Sequence, residues 1–164
     1  MVEIRLAGRL RPDSLTEVIG QSRALVESGP LARLISGDQS GSWPSVMLWG
    51  PPGSGKTTIA RLIGNNEGAH FLELSAVSAS VAQVRELITK AKELKNLYDR
   101  PTVLFLDEVH RFSKSQQDSL LSAVESGIIT LVAATTENPS FSVITPLISR
   151  SVVVKLEPLN DADV

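Results

Sequence analysis

The sequence predicts an α/β fold with a mostly parallel sheet, and three observations predict it. Short apolar runs at Val46–Trp49, Ala69–Leu74, Thr102–Leu106, Ile128–Ala134 and Val152–Leu156 alternate with stretches of helical character. The run Thr102–Leu106 is continuously apolar rather than alternating, as expected of a strand covered on both faces. Val46–Trp49 leads directly into a loop rich in glycine and proline and then into a helix-forming stretch, the order of a strand–loop–helix unit.

Taken in order, residues 1–18 are mixed and charged, with Arg5, Arg9 and Arg11 ahead of Pro12, and form no core element. Pro12-Asp13-Ser14 is a turn or helix-start signal, and Ile19-Gly20-Gln21 precedes a helical stretch. Gly29-Pro30 interrupts it, with Pro30 suited to the first turn of a helix through Ile35. Ser36–Pro44 is a polar loop. Lys56–Ile63 is a helix ended by Gly64-Asn65-Asn66, and Ala69–Leu74 a short strand. Ser80-Val81-Ala82-Gln83 is a capping box that starts a helix with Val81, Val84, Leu87, Ile88, Ala91 and Leu94 on its inner face. Arg100-Pro101 closes the connection to the strand Thr102–Leu106. Ser115 is the candidate cap of a helix through Glu125, with Leu120, Leu121 and Val124 inward and Gly127 as its stop. Ile128–Ala134 is the fourth strand, Thr145–Ser149 a short helix and Val152–Leu156 the fifth strand.

Composition narrows the chemistry. The chain has 164 residues, enough for one domain with a real core. It has no cysteine, which excludes disulfides, thiolate zinc sites and cysteine nucleophiles. His70 and His110 are too few for a histidine metal cluster. The formal charge of −2 gives no support to nonspecific nucleic-acid binding by the whole surface, while leaving room for a local basic patch. No apolar run approaches membrane-spanning length and no signal-peptide core is present, so a cytoplasmic protein is the expectation.

Gly50-x-x-x-x-Gly55-Lys56-Thr57 fits the phosphate-binding loop, or Walker A, pattern of a P-loop NTPase. Two glycines at about 7% usage each, with a fixed Lys and Ser/Thr, make an accidental match rare. The glycines let backbone N–H groups approach phosphate oxygens, and the following helix points its positive end at the same anion. Gly50, Pro51, Pro52, Gly53, Ser54, Gly55, Lys56, Thr57 and Thr58 are therefore the expected ATP-binding residues. Lys56 would reach the β and γ phosphates and the Thr57 hydroxyl would ligate Mg²⁺. The strand Thr102–Leu106 ends in Asp107-Glu108, at the strand end where open α/β sheets bind ligands. Asp107 is expected to hold Mg²⁺, as in a Walker B element, and Glu108 to polarise the attacking water. A solvated acidic pair would read the same way in isolation; the upstream phosphate loop favours the functional reading. Asp107-Glu108-Val109-His110 also spells a helicase-type D-E-x-H box, but such helicases need a second lobe for which the chain has no room, and His110 is expected to pack or couple instead.

Longer stretches carry a resemblance. Arg11-Pro12-x-x-Leu15-x-Glu17-Val18-Ile19-Gly20-Gln21 resembles the opening of the clamp-loader and Holliday-junction-motor branch of AAA+ ATPases. Asp107–Asp118 and Ala134-Thr135-Thr136-Glu137-Asn138-Pro139-Ser140-Phe141 resemble, more narrowly, the family of replication-associated recombination protein A (MgsA) and Werner helicase-interacting protein. The resemblance covers nearly the whole chain. It implies an AAA+ αβα sandwich with a five-stranded parallel sheet of order 5-1-4-3-2, an N-terminal arm over residues 1–21 and an ATPase core over residues 22–158. It implies that Val18 and Ile19 contact the adenine, although an N-terminal hydrophobic staple would have the same sequence. Thr136 is implied as sensor 1, touching the γ-phosphate or the lytic water, with Thr135 as second choice. Ser149-Arg150-Ser151 resembles the clamp-loader Ser-Arg-Cys element, with Ser for Cys in third place, and implies that Arg150 acts in trans on a neighbour's ATP.

In the family a helical lid bearing the sensor-2 arginine and an oligomerisation domain follow. Residues 159–164 are expected to begin the lid, and the chain to be the ATPase core of a longer protein, weak or inactive by itself. The implied function is ATP hydrolysis by a DNA-dependent AAA+ ATPase in replication-fork maintenance, recombination and repair. The implied partners are further copies of itself, DNA with single-strand/double-strand junctions, single-strand binding protein and other replication proteins, in a bacterial cytoplasm at the nucleoid and away from membranes. Arg111 and Lys114 are candidate DNA contacts, although a solvated basic pair reads alike. Two alternatives stay open: a clamp-loader or branch-migration subunit, and a nucleotide-gated interaction module without hydrolysis.

Overall fold

The computed structural model describes residues 45–64 and 69–157. The expectations for the arm 1–21 with Val18 and Ile19, for the segments through Pro44, for Asn65-Asn66 and for residues 158–164 lie outside the described residues.

Five strands form one sheet: β1 (Ser45–Trp49), β2 (His70–Ser75), β3 (Thr102–Asp107), β4 (Ile129–Thr135) and β5 (Ser151–Lys155). Their spatial order is β2-β3-β4-β1-β5 and every pairing is parallel, which is the predicted order 5-1-4-3-2 read from the other edge. Side chains alternate between faces along each strand. Met47, Leu104, Leu106, Leu131 and Ala133 pack on one face with Val84 and Ala91 of α2 (Val81–Tyr98), Leu120 and Ala123 of α3 (Lys114–Glu125), and Leu147. Val46, Leu48, Val103, Phe105, Val132 and Ala134 pack on the other with Ile59, Ala60 and Ile63 of α1 (Lys56–Gly64). Because β1, β3 and β4 are covered on both sides, their sequences are apolar at consecutive positions. Burying a side chain such as Leu104 or Leu131 contributes about 1.5–3 kcal/mol each relative to exposure.

The helices begin and end where local chemistry satisfies their free backbone groups. At α2 both bonds of the predicted capping box form: the Gln83 N–H donates to Ser80 Oγ at 3.2 Å and the Ser80 N–H donates to Gln83 Oε1 at 2.8 Å. Val81 departs from its expected inward place and is 37% exposed, because as the first helical residue it lies before the inner face meets the sheet. Leu94 is half-buried.

The cap of α3 is a correction. Ser113, not Ser115, is the N-cap: the Gln116 N–H donates to Ser113 Oγ at 3.2 Å, and the Ser113 N–H donates to Gln116 Oε1 at 2.9 Å. Ser113 has the extended backbone a cap requires, whereas Ser115 is already inside the first turn. Ser113→Ala is therefore expected to lower stability by about 1 kcal/mol, while Ser115→Ala changes it by less than about 0.5 kcal/mol. Urea unfolding of the two variants side by side checks the assignment. The predicted stop holds: Ile128 N–H donates to the Ala123 carbonyl and Gly127 N–H to the Val124 carbonyl, with Gly127 at φ +75°. The remaining helices, α4 (Pro139–Ser142) and α5 (Thr145–Ser149), lead into β5. No described helix is long and apolar enough to cross a membrane.

Candidate active site

The C-terminal ends of β1, β3 and β4 lie side by side, and the loops leaving them surround a cleft of about 440 Å³. Each loop contributes a different chemistry.

The loop after β1 is a glycine turn held at both ends. The Gly50 N–H donates to the Thr135 carbonyl at 3.1 Å, and the Leu156 N–H donates to the Trp49 carbonyl at 2.7 Å, so the sheet ladder continues into the start of the loop. A Cβ on Gly50 would stand 2.8 Å from Ser54 Oγ and 2.9 Å from the Leu156 carbonyl oxygen; this glycine is required by packing. Gly53 and Gly55 are at φ +80° and +90°, a backbone that side chains disfavour, with open space where a Cβ would be. Pro52, Gly53, Gly55, Lys56, Thr57 and Thr58 line the cleft. Gly50, Pro51 and the fully buried Ser54 belong to the same loop but are not among the residues lining the cleft.

The Lys56 ammonium folds back over this loop. It donates to the Gly50 and Pro51 carbonyls at 2.7 and 2.8 Å and to Ser54 Oγ at 3.3 Å. Burial pushes its pKa below the ordinary lysine value, and the Asp107 charge partly offsets this. An arriving anion would favour the charged form, which suits Lys56 to phosphate. The first turn of α1 lies beside it, with the positive end of the helix toward the cleft.

β3 delivers the carboxylates. Asp107 is its last residue and Glu108 the next, and both line the cleft opposite Thr57. Glu108 has a left-handed backbone, φ 55° and ψ 48°, which for a non-glycine residue costs about 1–3 kcal/mol. The turn Val109–Arg111 that follows holds it there, with the Arg111 N–H on the Glu108 carbonyl at 2.9 Å and Val109 fully buried. Asp99, the C-cap of α2, is the other non-glycine residue with positive φ among the described residues; Glu108 differs from it in lining the cleft. The carboxylate of Asp107 and the hydroxyl of Thr57 are hard oxygen donors of the kind Mg²⁺ takes beside phosphate, so the donor set fits that ion.

β4 delivers two threonines that the structure separates. Thr135 is fully buried, and its hydroxyl is engaged by the Glu137 N–H at 3.0 Å, the Glu137 carbonyl at 3.1 Å and His110 Nδ1 at 3.0 Å. Thr136 is exposed, also lines the cleft, and makes no side-chain hydrogen bond among the described residues. Of the two, Thr136 has the hydroxyl available for a ligand.

Arg150, the residue between α5 and β5, is not part of this cleft. It is exposed, and its Nε donates to Glu125 Oε1 at 3.0 Å, across from the end of α3. Arg111 and Lys114 are both exposed just beyond the Glu108 turn. Two residues connect these parts: His110, which the sequence reading expected to pack or couple, and Gln117, which it did not single out. His110 joins the turn after β3 to the end of β4, and the D-E-x-H spacing was the signal for it. Gln117 is only 3% exposed; it donates to the Phe112 and Ser142 carbonyls at 3.2 and 3.1 Å and accepts from the Ile144 N–H at 2.9 Å. A glutamine within a polar helical stretch carries no sequence signal for such a place.

Comparison with known proteins assigns the chain to a family. The family model of the ATPase family associated with various cellular activities (AAA) matches residues 46–157. The chain is 55% identical over 158 residues to an uncharacterised AAA domain-containing protein of Mycobacterium tuberculosis, covering 96% of this chain and 34% of that protein. It is 46% identical over 159 residues to replication-associated recombination protein A of Escherichia coli, covering 97% of this chain and 35% of that one. It is 44% identical over 154 residues to ATPase WRNIP1 of Dictyostelium discoideum, covering 94% of this chain and 17% of the relative. Among solved structures, RuvB of Thermotoga maritima superposes with a TM-score of 0.75 at 31% identity, over 94% of this chain and 52% of RuvB. The chain spans about a third of the length of the bacterial relatives it matches. The family pattern begins within β1, includes the glycine loop, both carboxylates and the two threonines, and ends just beyond β5: the chain belongs to the AAA family of ATPases.

Proposed function

We propose that this chain is the ATP-binding and ATP-hydrolysing core of a DNA-dependent AAA+ ATPase that acts in replication-fork maintenance, recombination and repair. The observation that carries the chemistry is the convergence of Lys56, Thr57, Asp107, Glu108 and Thr136 on one cleft beside a glycine loop. The loop N–H groups and Lys56 bind the phosphates. Thr57 and Asp107 would hold Mg²⁺, which would supply charge neutralisation to the bound phosphates. Glu108 takes the proton of the attacking water, and Thr136 orients that water or the γ-phosphate. Val18 and Ile19 would contact the adenine. Arg150 serves a neighbouring copy, so turnover requires a homo-oligomer and the core alone is weakly active.

The biological role rests on relatives of 44–48% identity that are named replication-associated recombination protein A and ATPase WRNIP1. Junction-bearing DNA is the proposed effector, with single-strand binding protein and other replication proteins as candidate partners in the bacterial cytoplasm. The test is ATP turnover by the full-length protein with and without DNA carrying a single-strand/double-strand junction. Stimulation of at least about tenfold is expected, and it should weaken with salt and in a Lys114→Ala variant if that lysine touches phosphate. Turnover indifferent to DNA would overturn the DNA-dependent reading and leave the ATPase chemistry standing. A branch-migration motor is the second reading, favoured by likeness to a solved RuvB described as a Holliday junction branch migration motor, at 33% identity; movement of four-way junctions would identify it.

A further inference from the structure

The hydroxyl of Thr135 has three neighbours and only three hydrogen-bonding capacities, one proton and two lone pairs. The Glu137 N–H can only donate to it and takes one lone pair. The Glu137 carbonyl can only accept and takes the proton. His110 Nδ1, at 3.0 Å, is left with the second lone pair, so in the arrangement that satisfies all three contacts Nδ1 carries a hydrogen and donates it. The neutral ring is then the Nδ1–H tautomer.

This fully used hydroxyl closes a small loop. Residues 135 and 137 are tied to each other through it, and Thr136, between them, is left at the apex, exposed to the cleft. His110 ties the same knot to the short turn Val109–Arg111, whose first residue follows the left-handed Glu108. Among the described residues, the shared bond is a side-chain link between the turn that holds Glu108 and the loop that presents Thr136.

We propose that His110 is a positioning residue: through an Nδ1–H bond to Thr135 it sets the distance between Glu108 and the Thr136 hydroxyl, and so governs the chemical step without touching the nucleotide. The inference rests on the reading that this cleft hydrolyses ATP. It separates two groups by role: Lys56 and the glycine loop decide affinity, and His110 with Thr135 decides rate.

The test compares His110→Ala, His110→Asn, Thr135→Val and Thr135→Ser in the full-length protein, measuring ATP affinity and kcat separately. An Asn amide N–H can stand near the place of Nδ1–H, and Ser keeps the hydroxyl. His110→Ala and Thr135→Val are expected to keep ATP affinity within about twofold and to lower kcat at least tenfold, with Asn and Ser each restoring most of it. Nitrogen-15 NMR of the imidazole, with His70 as the one other histidine of the chain, reads the tautomer directly on this chain even if Thr135→Val fails to fold. The Nε2–H tautomer in the neutral ring would overturn the proposal, as would equal kcat in His110→Ala and wild type, or Asn behaving like Ala. Affinity and kcat falling together would assign His110 to the fold rather than to the chemical step. Absence of turnover in the wild-type protein would instead remove the hydrolysis reading, and this inference with it.

Discussion

Under the proposed action of Arg150 on a neighbouring copy, Arg150→Ala in the full-length protein is expected to leave ATP affinity within about twofold and to lower turnover by about 10³-fold or more, the range seen when an arginine finger is removed. The expectation follows from position. Arg150 is outside the cleft of its own chain, so it does not contribute to binding there. It is instead exposed at the junction of α5 and β5, and its proposed role is at the ATP of a neighbouring copy. Its bond to Glu125 does not oppose this. Both side chains are about half exposed, at 51% and 43%, and exposed ion pairs of this kind contribute only about 0–1 kcal/mol. A neighbour's γ-phosphate, carrying more charge in a drier setting, would outcompete the carboxylate. Separate titration of nucleotide binding and steady-state turnover checks the prediction. Unchanged turnover would remove Arg150 from the chemistry and make the Glu125 pair its whole role.

Glu108→Gln is expected to bind ATP and hold it, with turnover lowered by about 10²–10⁴-fold, the contribution of a general base. The amide is close in size to the carboxylate and adopts the same left-handed backbone at similar cost, so the Val109–Arg111 turn should persist and the cleft keep its shape. What the substitution removes is the ability to accept a proton. Asp107, one residue earlier, is not expected to substitute, because in the proposed arrangement its carboxylate is committed to Mg²⁺. Single-turnover measurement with ATP bound beforehand separates this loss from any change in affinity. Hydrolysis at the wild-type rate would show that another group accepts the proton.

The two substitutions are expected to complement each other in mixtures. A Glu108→Gln copy still offers Arg150, and an Arg150→Ala copy still offers Glu108. Mixed oligomers should therefore recover turnover at the interfaces where the intact halves meet.

Much of this was legible in residue order because the interactions involved are local. The glycine loop, the capping box Ser80–Gln83, the stop at Gly127 and the continuous apolar run of β3 each depend on a few neighbouring positions, so their pattern survives in one dimension. The order of the sheet was not local, and came from family resemblance rather than from periodicity. Where local signals competed, sequence reading went astray. Ser113 and Ser115 are both acceptable caps by type; the return bond from Gln116 selects Ser113. Val81 belongs to the apolar face by spacing, but a first-turn residue has nothing yet to pack against.

By itself, then, the sequence determined the five strands, the helices α1, α2, α3 and α5, the glycine loop, and the pair of carboxylates at the end of β3, all set by short-range sterics, hydrogen bonding and burial period. Only the tertiary structure decided which threonine is available, since Thr135 and Thr136 are equal as residues and differ because His110 and Glu137 consume the hydroxyl of one. Only it placed Gln117 in the interior, where the Phe112 carbonyl just before its helix and two backbone groups of residues 142–144 share a single amide, and set Arg150 against Glu125, 25 residues away. Each of these depends on which saturable donors and acceptors the fold brings within about 3 Å, a proximity that residue order does not encode.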